Sequence, residues 1–171
     1  VNDNGQVIGC AFGIDGVHAF LYDGTMHELG SLGGAIHPTD INNSGLVVGY
    51  SETDTARAFL YDGTMHELGP LRGFASLATG INDRGQVVGY FGGYGAFLYD
   101  GTMHYLGKLS WPPVISTYPS AINNSGQIVG HNDLGYYYGS DGQLRSYGYA
   151  FLYDGIMHDL GTLGGQYNSS W

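Results

Sequence analysis

The stretch "INNSGLVVGY", Ile41 to Tyr50, decides how the chain is read, because it does not occur only once. It returns as "INDRGQVVGY" at Ile81 and "INNSGQIVGH" at Ile122, and Val1 opens with "VNDNGQVIGC". A second block, "AFLYDG", begins at Ala19, Ala58, Ala96 and Ala150, and runs on into "TMHELG", "TMHELG", "TMHYLG" and "IMHDLG". Self-similarity at a fixed period points to a repeat architecture. The chain divides into four tandem units, 1–40, 41–80, 81–121 and 122–171, with nothing between them. Together they are read as one domain, 1–171.

Each unit reads as four strands. The first precedes the Asn, as in "SLATGI" at Ser76; the second is the "QVVGY" segment; the third is "AFLYD"; the fourth is "MHELG". Asn-x-x-Gly joins the first two, with the Asn capping its own turn and the Gly free to take positive φ. Asp-Gly joins the last two, at Asp23, Asp62, Asp100 and Asp154, a strong hairpin signal. Successive strand side chains point to opposite faces, so Phe20 and Tyr22 share one and Ala19 and Leu21 the other. A sheet apolar on both faces must be sandwiched between neighbours. The expected fold is therefore all-β: a four-bladed β-propeller of four-stranded antiparallel blades. The mid-strand Gly9, Gly49, Gly89 and Gly130 are expected to admit an aromatic from a neighbouring blade. A β-solenoid is the competing architecture and would need capping ends.

Bulk composition agrees. The 171 residues are 43% hydrophobic and 12% charged, with 31 Gly and 15 Tyr, which suits many short strands joined by tight turns. The net charge of −10, with five Lys and Arg, leaves too few cations for the basic stripe that nucleic acid requires. It disfavours anionic membrane surfaces as well, and no apolar run reaches spanning length. Cys10 is the single cysteine, so no intrachain disulfide forms, and its strand-like setting predicts a small buried core residue. The chain opens at Val1 without an initiator Met, from which removal of a leader or flanking sequence is expected.

The pattern resembles the HAF repeat, a family also called the probable extracellular repeat. The resemblance rests on "HAFLYDG" at His18 to Gly24, "HELGSLGG" at His27 to Gly34 and "INNSGLVVGY" at Ile41 to Tyr50, and it covers the whole chain. It implies an extracellular or cell-surface setting in bacteria and no agreed enzymatic activity. The naming His departs from the pattern, because His18 is followed by Arg57, Gly95 and Tyr149 at the equivalent positions. A role for that His in every unit is thereby excluded.

Several recurrent residues invite a chemical reading and find a structural one. His27, His66, His104 and His158 each follow a Met on the last strand of a unit. That strand lies at the outer rim of a blade, which keeps the four imidazoles too far apart to meet at one metal ion. The Asp of the four Asp-Gly turns is separated in the same way, so turn chemistry accounts for it better than calcium does. No catalytic residue, metal ligand or cofactor is assigned.

Deviations from the repeat are where function is sought. Asn-x-x-Gly and Asp-Gly keep their length, whereas the link between second and third strands and the crossing between units vary. Alternating chain direction puts both constant turns on one face of the disk and both variable loops on the other. The variable face is therefore expected to work. Unit 4 carries "HNDLGYYYGSDGQLRSYGY", His131 to Tyr149, whose Asp141-Gly142 predicts a projecting hairpin, and the crossing after unit 3 carries "KLSWPPVISTY", Lys108 to Tyr118. The candidate ligand-binding residues are Trp111, Tyr118, His131, Asp133, Tyr136, Tyr137, Tyr138, Arg145 and Tyr147. Aromatics with a few hydrogen-bonding groups suit stacking on sugar rings or docking a protein. They would serve equally as a plug on the top of the disk.

Thr39, Thr79, Ser120 and Ser170 occupy equivalent places on the four innermost strands. They form either a ring of hydroxyls able to hold water or a cation in a central channel, or small residues where strands crowd. The leading functional expectation is a secreted or cell-surface module that binds carbohydrate through the loops of units 3 and 4. A protein-interaction or surface-assembly scaffold is the alternative, and a polysaccharide hydrolase or lyase using Asp133 near His131 comes third. The tail "GGQYNSSW", Gly164 to Trp171, aligns Ser169-Ser170-Trp171 with Ala78-Thr79-Gly80, and the next residue in register is Val1. The expected closure pairs this C-terminal strand with the N-terminal strands.

Overall fold

The structure, a computed structural model, describes residues 1–14, 16–69, 74–92, 95–107, 114–138 and 141–161, with the backbone alone for Tyr137, Arg145, Ser146 and Tyr147. The first unit forms β1 (Val7–Gly13), β2 (Gly16–Tyr22) and β3 (Met26–Glu28). The second forms β4 (Ala35–Ile41), β5 (Val47–Glu52), β6 (Ala56–Tyr61) and β7 (Met65–Glu67). The third forms β8 (Ser76–Ile81), β9 (Val87–Phe91), β10 (Gly95–Tyr99) and β11 (Met103–Tyr105). The fourth forms β12 (Ser116–Ile122), β13 (Ile128–Tyr138), β14 (Leu144–Tyr153) and β15 (Met157–Asp159). Units two to four are antiparallel four-stranded meanders, and the first shows three strands among the described residues. The all-β blade arrangement expected from the repeat is what forms.

The turns carry the register. In the first connection, Asn42 N–H donates to Leu46 O at 3.1 Å and Gly45 N–H to Asn42 O at 3.0 Å, with Gly45 at φ +82°. The Asn42 carboxamide oxygen accepts from both Ser44 N–H and Leu46 N–H at 3.0 Å, so one side chain caps the whole turn. The Asp-Gly turn takes three residues rather than two: Tyr61 pairs with Met65, and Asp62 N–H donates to Thr64 O at 3.2 Å.

Apolar side chains on both blade faces meet those of the next blade, and the core lies in these junctions. Ala19, Leu21 and Leu29 of blade 1 pack on Ile36, Val47 and Phe59 of blade 2. Val48, Ala58 and Leu68 pack on Val87 and Phe97, and Val88, Ala96 and Leu106 pack on Ile128 and Phe151. Every blade thus presents a Val-Ala-Leu type face forward and a Val-Phe-Tyr-Met type face backward.

Two expectations change. The aromatic against each mid-strand glycine comes from the same blade. A Cβ on Gly89 would lie 2.5 Å from Phe97 Cζ, on the paired strand, and 2.1 Å from Leu77 O. The glycine is needed because a β-bulge between Ala78 and Gly80 brings that carbonyl close. Cys10 is exposed rather than buried, on a strand whose partner among the described residues is β2.

Candidate functional site

Meander topology separates two ends of the disk. On one end sit the Asn-x-x-Gly and Asp-Gly turns; on the other sit the links between second and third strands and the crossings between blades.

On the variable end, ring side chains line the inner strands. His37 pairs with Tyr50 across β4 and β5, and their rings stack with centroids 4.7 Å apart. Tyr118 pairs with His131 across β12 and β13, stacked at 5.1 Å. Tyr90 joins the series by meeting Tyr118 edge to face at 4.9 Å across the junction of blades 3 and 4. Burial pushes the Tyr90 phenol above its ordinary pKa, and the neighbouring Tyr118 and Tyr50 add to the shift. The result is a belt of phenols and imidazoles, half-buried at His37, Tyr50, Tyr90 and Tyr118 and exposed at His131.

Above this belt, β13 and β14 extend past the length of the other blades' strands and pair as far as Tyr138 with Leu144. Asp141 takes part in the turn, its carboxylate accepting from Gln143 N–H at 3.1 Å with Gly142 at φ +73°. The predicted hairpin therefore forms. Tyr136 and Tyr138 lie two apart on one face and stay 69% and 74% exposed. Tyr137, Arg145 and Tyr147 lie on the same two strands by backbone position. At the hairpin's base, a bulge between Asp133 and Gly135 is held by the Asp133 carboxylate, which accepts from Gly135 N–H at 2.8 Å. Ile115, on the crossing from unit 3, donates its N–H to Asp133 O at 2.8 Å, tying that crossing to the hairpin. His131 and Asp133 share one strand face, with the imidazole stacked on Tyr118 and the carboxylate engaged in the bulge. Trp111 lies outside the described residues.

The innermost hydroxyls have structural partners. Thr39 and Thr79 are the extra residues of the bulges in β4 and β8. Thr39 Oγ lies 2.9 Å from Ala78 O of the next blade and 3.2 Å from Val48 O; Thr79 Oγ lies 2.9 Å from Pro119 O and 3.3 Å from Val88 O. Each hydroxyl thus latches one blade to the next. Ser120 is the corresponding exposed bulge residue in β12, and Ser170 lies outside the described residues.

The constant end holds a feature that sequence reasoning missed: a cavity of about 370 Å³ at the axis, lined by the start of every Asn-x-x-Gly turn. Its rim is Asp3, Asn43, Asp83 and Asn124. Asp3 N–H donates to Asn43 Oδ1 at 2.9 Å, Asn43 N–H to Asp83 Oδ1 at 2.9 Å, and Asp83 N–H to Asn124 Oδ1 at 2.8 Å. The N–H of Asn43, followed by the Asn124 carboxamide, holds the Asp83 carboxyl below the usual carboxylate range. Beneath the rim, Asn2, Asn42 and Asn82 each donate from Nδ2 to the carbonyl of the equivalent Asn in the next unit, at 2.8–3.0 Å. The available signal was an alternation of Asp, Asn, Asp and Asn after the first Asn of each turn.

The outer-rim His and Asp belong together. His66 Nε2 lies 2.9 Å from Asp62 Oδ1 and 2.8 Å from Thr64 Oγ, spanning one turn, and units 1 and 3 repeat the arrangement. His158 keeps the Asp154 contact at 2.8 Å although Ile156 replaces the Thr. The His contact is the largest cause lowering the pKa of Asp23, Asp62, Asp100 and Asp154.

Meandering blades joined through face-to-face cores around an axis define the β-propeller class. Solved structures agree. The chain is similar to an acylaminoacyl peptidase from Pyrococcus horikoshii, with a TM-score of 0.62 and 13% identity over 94% of this chain and 26% of that one. It is similar to the β-propeller domain of the Trilobed protease from Pyrococcus furiosus, described as having an open velcro topology, with a TM-score of 0.62 and 11% identity over 94% of this chain and 52% of that one. An acylaminoacyl peptidase in complex with Z-Gly-Gly-Phe-chloromethyl ketone matches at a TM-score of 0.60 and 14% identity over 92% of this chain and 25% of that one. The chain spans a quarter to about half the length of these structures, and at such identities the likeness is one of fold. The sequence matches no protein-family model and no curated protein.

Proposed function

We propose that this is a binding module that recognises carbohydrate through the variable end of its propeller. The observation carrying the reading is the run of rings from Tyr90 through Tyr118 to His131, topped by the exposed Tyr136 and Tyr138. Tyrosine offers an apolar ring face to the C–H side of a sugar and a hydroxyl to its polar edge. The extended β13–β14 ladder holds two such rings at a fixed spacing, which limits the ordering cost of binding. The HAF-repeat resemblance supports placement outside the cell or on its surface, where glycans are the abundant ligands.

In the same reading the propeller ring closes by strand addition. β1 has β2 as its strand partner among the described residues, and the strand expected at Gly164 to Trp171, which lies outside them, is the proposed addition. The test of the binding function is a glycan array probed with the wild-type chain and with Tyr136→Ser/Tyr138→Ser. Binding to an oligosaccharide class that the double variant loses by tenfold or more supports the proposal. An array without signal from folded protein ends it.

A further inference from the structure

Each outer hairpin turns on an Asp-Gly dipeptide, and Asp-Gly is the sequence most open to spontaneous backbone rearrangement. The glycine nitrogen can attack the Asp side-chain carboxyl carbon, because no β-carbon on the second residue shields it. The N–Cγ bond forms, a Cγ–O bond breaks, and water leaves carrying the amide proton, which gives a succinimide. Water then adds to a ring carbonyl. Opening at the main-chain carbonyl leaves isoaspartate, with no net change in composition. The turn cannot dispense with either residue. Gly63 and its three counterparts lie at φ +105° to +116°, which L side chains rarely adopt. The Asp supplies the acceptor that caps the loop. Asp23, Asp62, Asp100 and Asp154 keep side chains 41–47% exposed, so water reaches all four.

The carboxylate in each turn is held by a fixed set of contacts. Asp62 Oδ1 accepts from Thr64 N–H at 3.2 Å and from the Thr64 hydroxyl at 2.9 Å, and His66 Nε2 lies 2.9 Å away. All three contacts aim one oxygen at residues two and four further along the chain. Closure onto the Gly63 nitrogen has to turn the carboxyl group and give them up. The imidazole is the constant member of the set, since His158 keeps its contact at 2.8 Å where Ile156 has replaced the Thr. The His contact is also the largest cause holding each of these carboxyls below the usual carboxylate range, and an ionised carboxylate is the poorer electrophile. We infer that the rim histidines guard the Asp-Gly peptide bonds, each His retarding isoaspartate formation at the Asp four residues before it. Isoaspartate would be costly in this position. It adds a carbon to the main chain of a loop across which Tyr61 pairs with Met65. β7 has only three residues, and the buried Leu68 that follows it is held by its N–H to Ala58 O at 2.8 Å. A longer loop shifts this short strand and draws Leu68 out of the junction with blade 3. None of this depends on what the variable end binds.

The test is prolonged incubation of the wild-type chain, His66→Ala and His104→Ala at neutral pH and physiological temperature, with circular dichroism confirming that each stays folded. Peptide mapping by mass spectrometry, with fragmentation that marks isoaspartate, then reads the rate at every Asp-Gly turn of the same molecule. In His66→Ala, isoaspartate at Asp62 is expected to accumulate several-fold faster than in the wild type, while Asp23 and Asp100 keep their wild-type rates. In His104→Ala the acceleration is expected to move to Asp100 and leave Asp62 unchanged. The untouched turns separate a local guard from general loosening, which would speed all of them. Unchanged rates at Asp62 and Asp100 in their respective variants overturn the inference. So does an equal acceleration at every turn of a variant that remains folded.

Discussion

The Asn82 carboxamide nitrogen donates to Asn123 O at 3.0 Å, reaching from one blade's turn to the backbone of the next. The same side chain accepts from Arg84 N–H at 3.1 Å and Gln86 N–H at 3.0 Å, so a single buried group closes a turn and latches a junction. Asn123 has the same turn contacts but is exposed and reaches no further blade among the described residues. Asn82 also donates to Gln86 Oε1 at 2.8 Å, so Asn82→Ala is expected to cost about 4 kcal/mol, at roughly 1 kcal/mol for each of the hydrogen bonds lost. Asn123→Ala is expected to cost less, because its three turn contacts are solvent-exposed and water replaces much of what is lost. Urea unfolding of the two variants side by side measures the difference.

Gly89→Ala should be severe, because the new Cβ would sit 2.1 Å from the Leu77 carbonyl and 2.5 Å from the Phe97 ring. The expected loss is about 3 kcal/mol, the upper end for overpacking. In a chain of this size that lowers Tm by about 6–12 °C. Gly9→Ala meets the Phe20 ring at 2.9 Å and no carbonyl, so about 1 kcal/mol is expected there. Calorimetry on both variants checks the ordering.

Thr79→Val removes the hydroxyl that bridges to Pro119 O while keeping the shape of the side chain. A loss of about 1 kcal/mol is expected, with the fold unchanged by circular dichroism. A neutral effect would show that the bulge geometry, rather than the latch, fixes the innermost strands.

The rim carboxylates set the acid limit. Asp23, Asp62, Asp100 and Asp154 are held below the ordinary value by their His partners, and Asp83 by the Asn43 N–H. A depressed folded-state pKa contributes stability that is fully present above the unfolded value of about 3.9 and is lost as pH falls through the folded value. Unfolding midpoints should therefore be flat with respect to these groups near neutral pH and decline below about pH 4. Carboxyl-carbon NMR titration should show these five midpoints below the ordinary Asp value of about 3.9.

Much of the fold was legible in the sequence because the repeat states it four times. Asn42, Gly45, Asp62 and Gly63 mark turns by local backbone chemistry that needs no tertiary context. The apolar pattern of "AFLYD" on both faces implied stacking before any junction was seen. What escaped was chemistry between units. Nothing in one copy says that the residue after Asn42 will donate to the residue after Asn82, or that Asp62 and His66 meet across a three-residue turn. The exposure of Cys10 and Leu160 escaped for the same reason, since a repeat read by itself implies neighbours on both sides. At the candidate site the hairpin was legible from Asp141-Gly142. The stacking of Tyr118 on His131 depends on the register between β12 and β13, which a bulge sets.

The proposed function puts the ligand on the variable end of the disk rather than in the polar cavity lined by Asp3, Asn43, Asp83 and Asn124. Amide chemical shifts recorded while the best oligosaccharide from the array is titrated in test it most directly. Shifts are expected at Tyr90, Tyr118, His131 and the β13–β14 strands up to Tyr138 and Leu144, with the Asn-x-x-Gly turns unmoved. Shifts confined to Asp3, Asn43, Asp83 and Asn124 would contradict it.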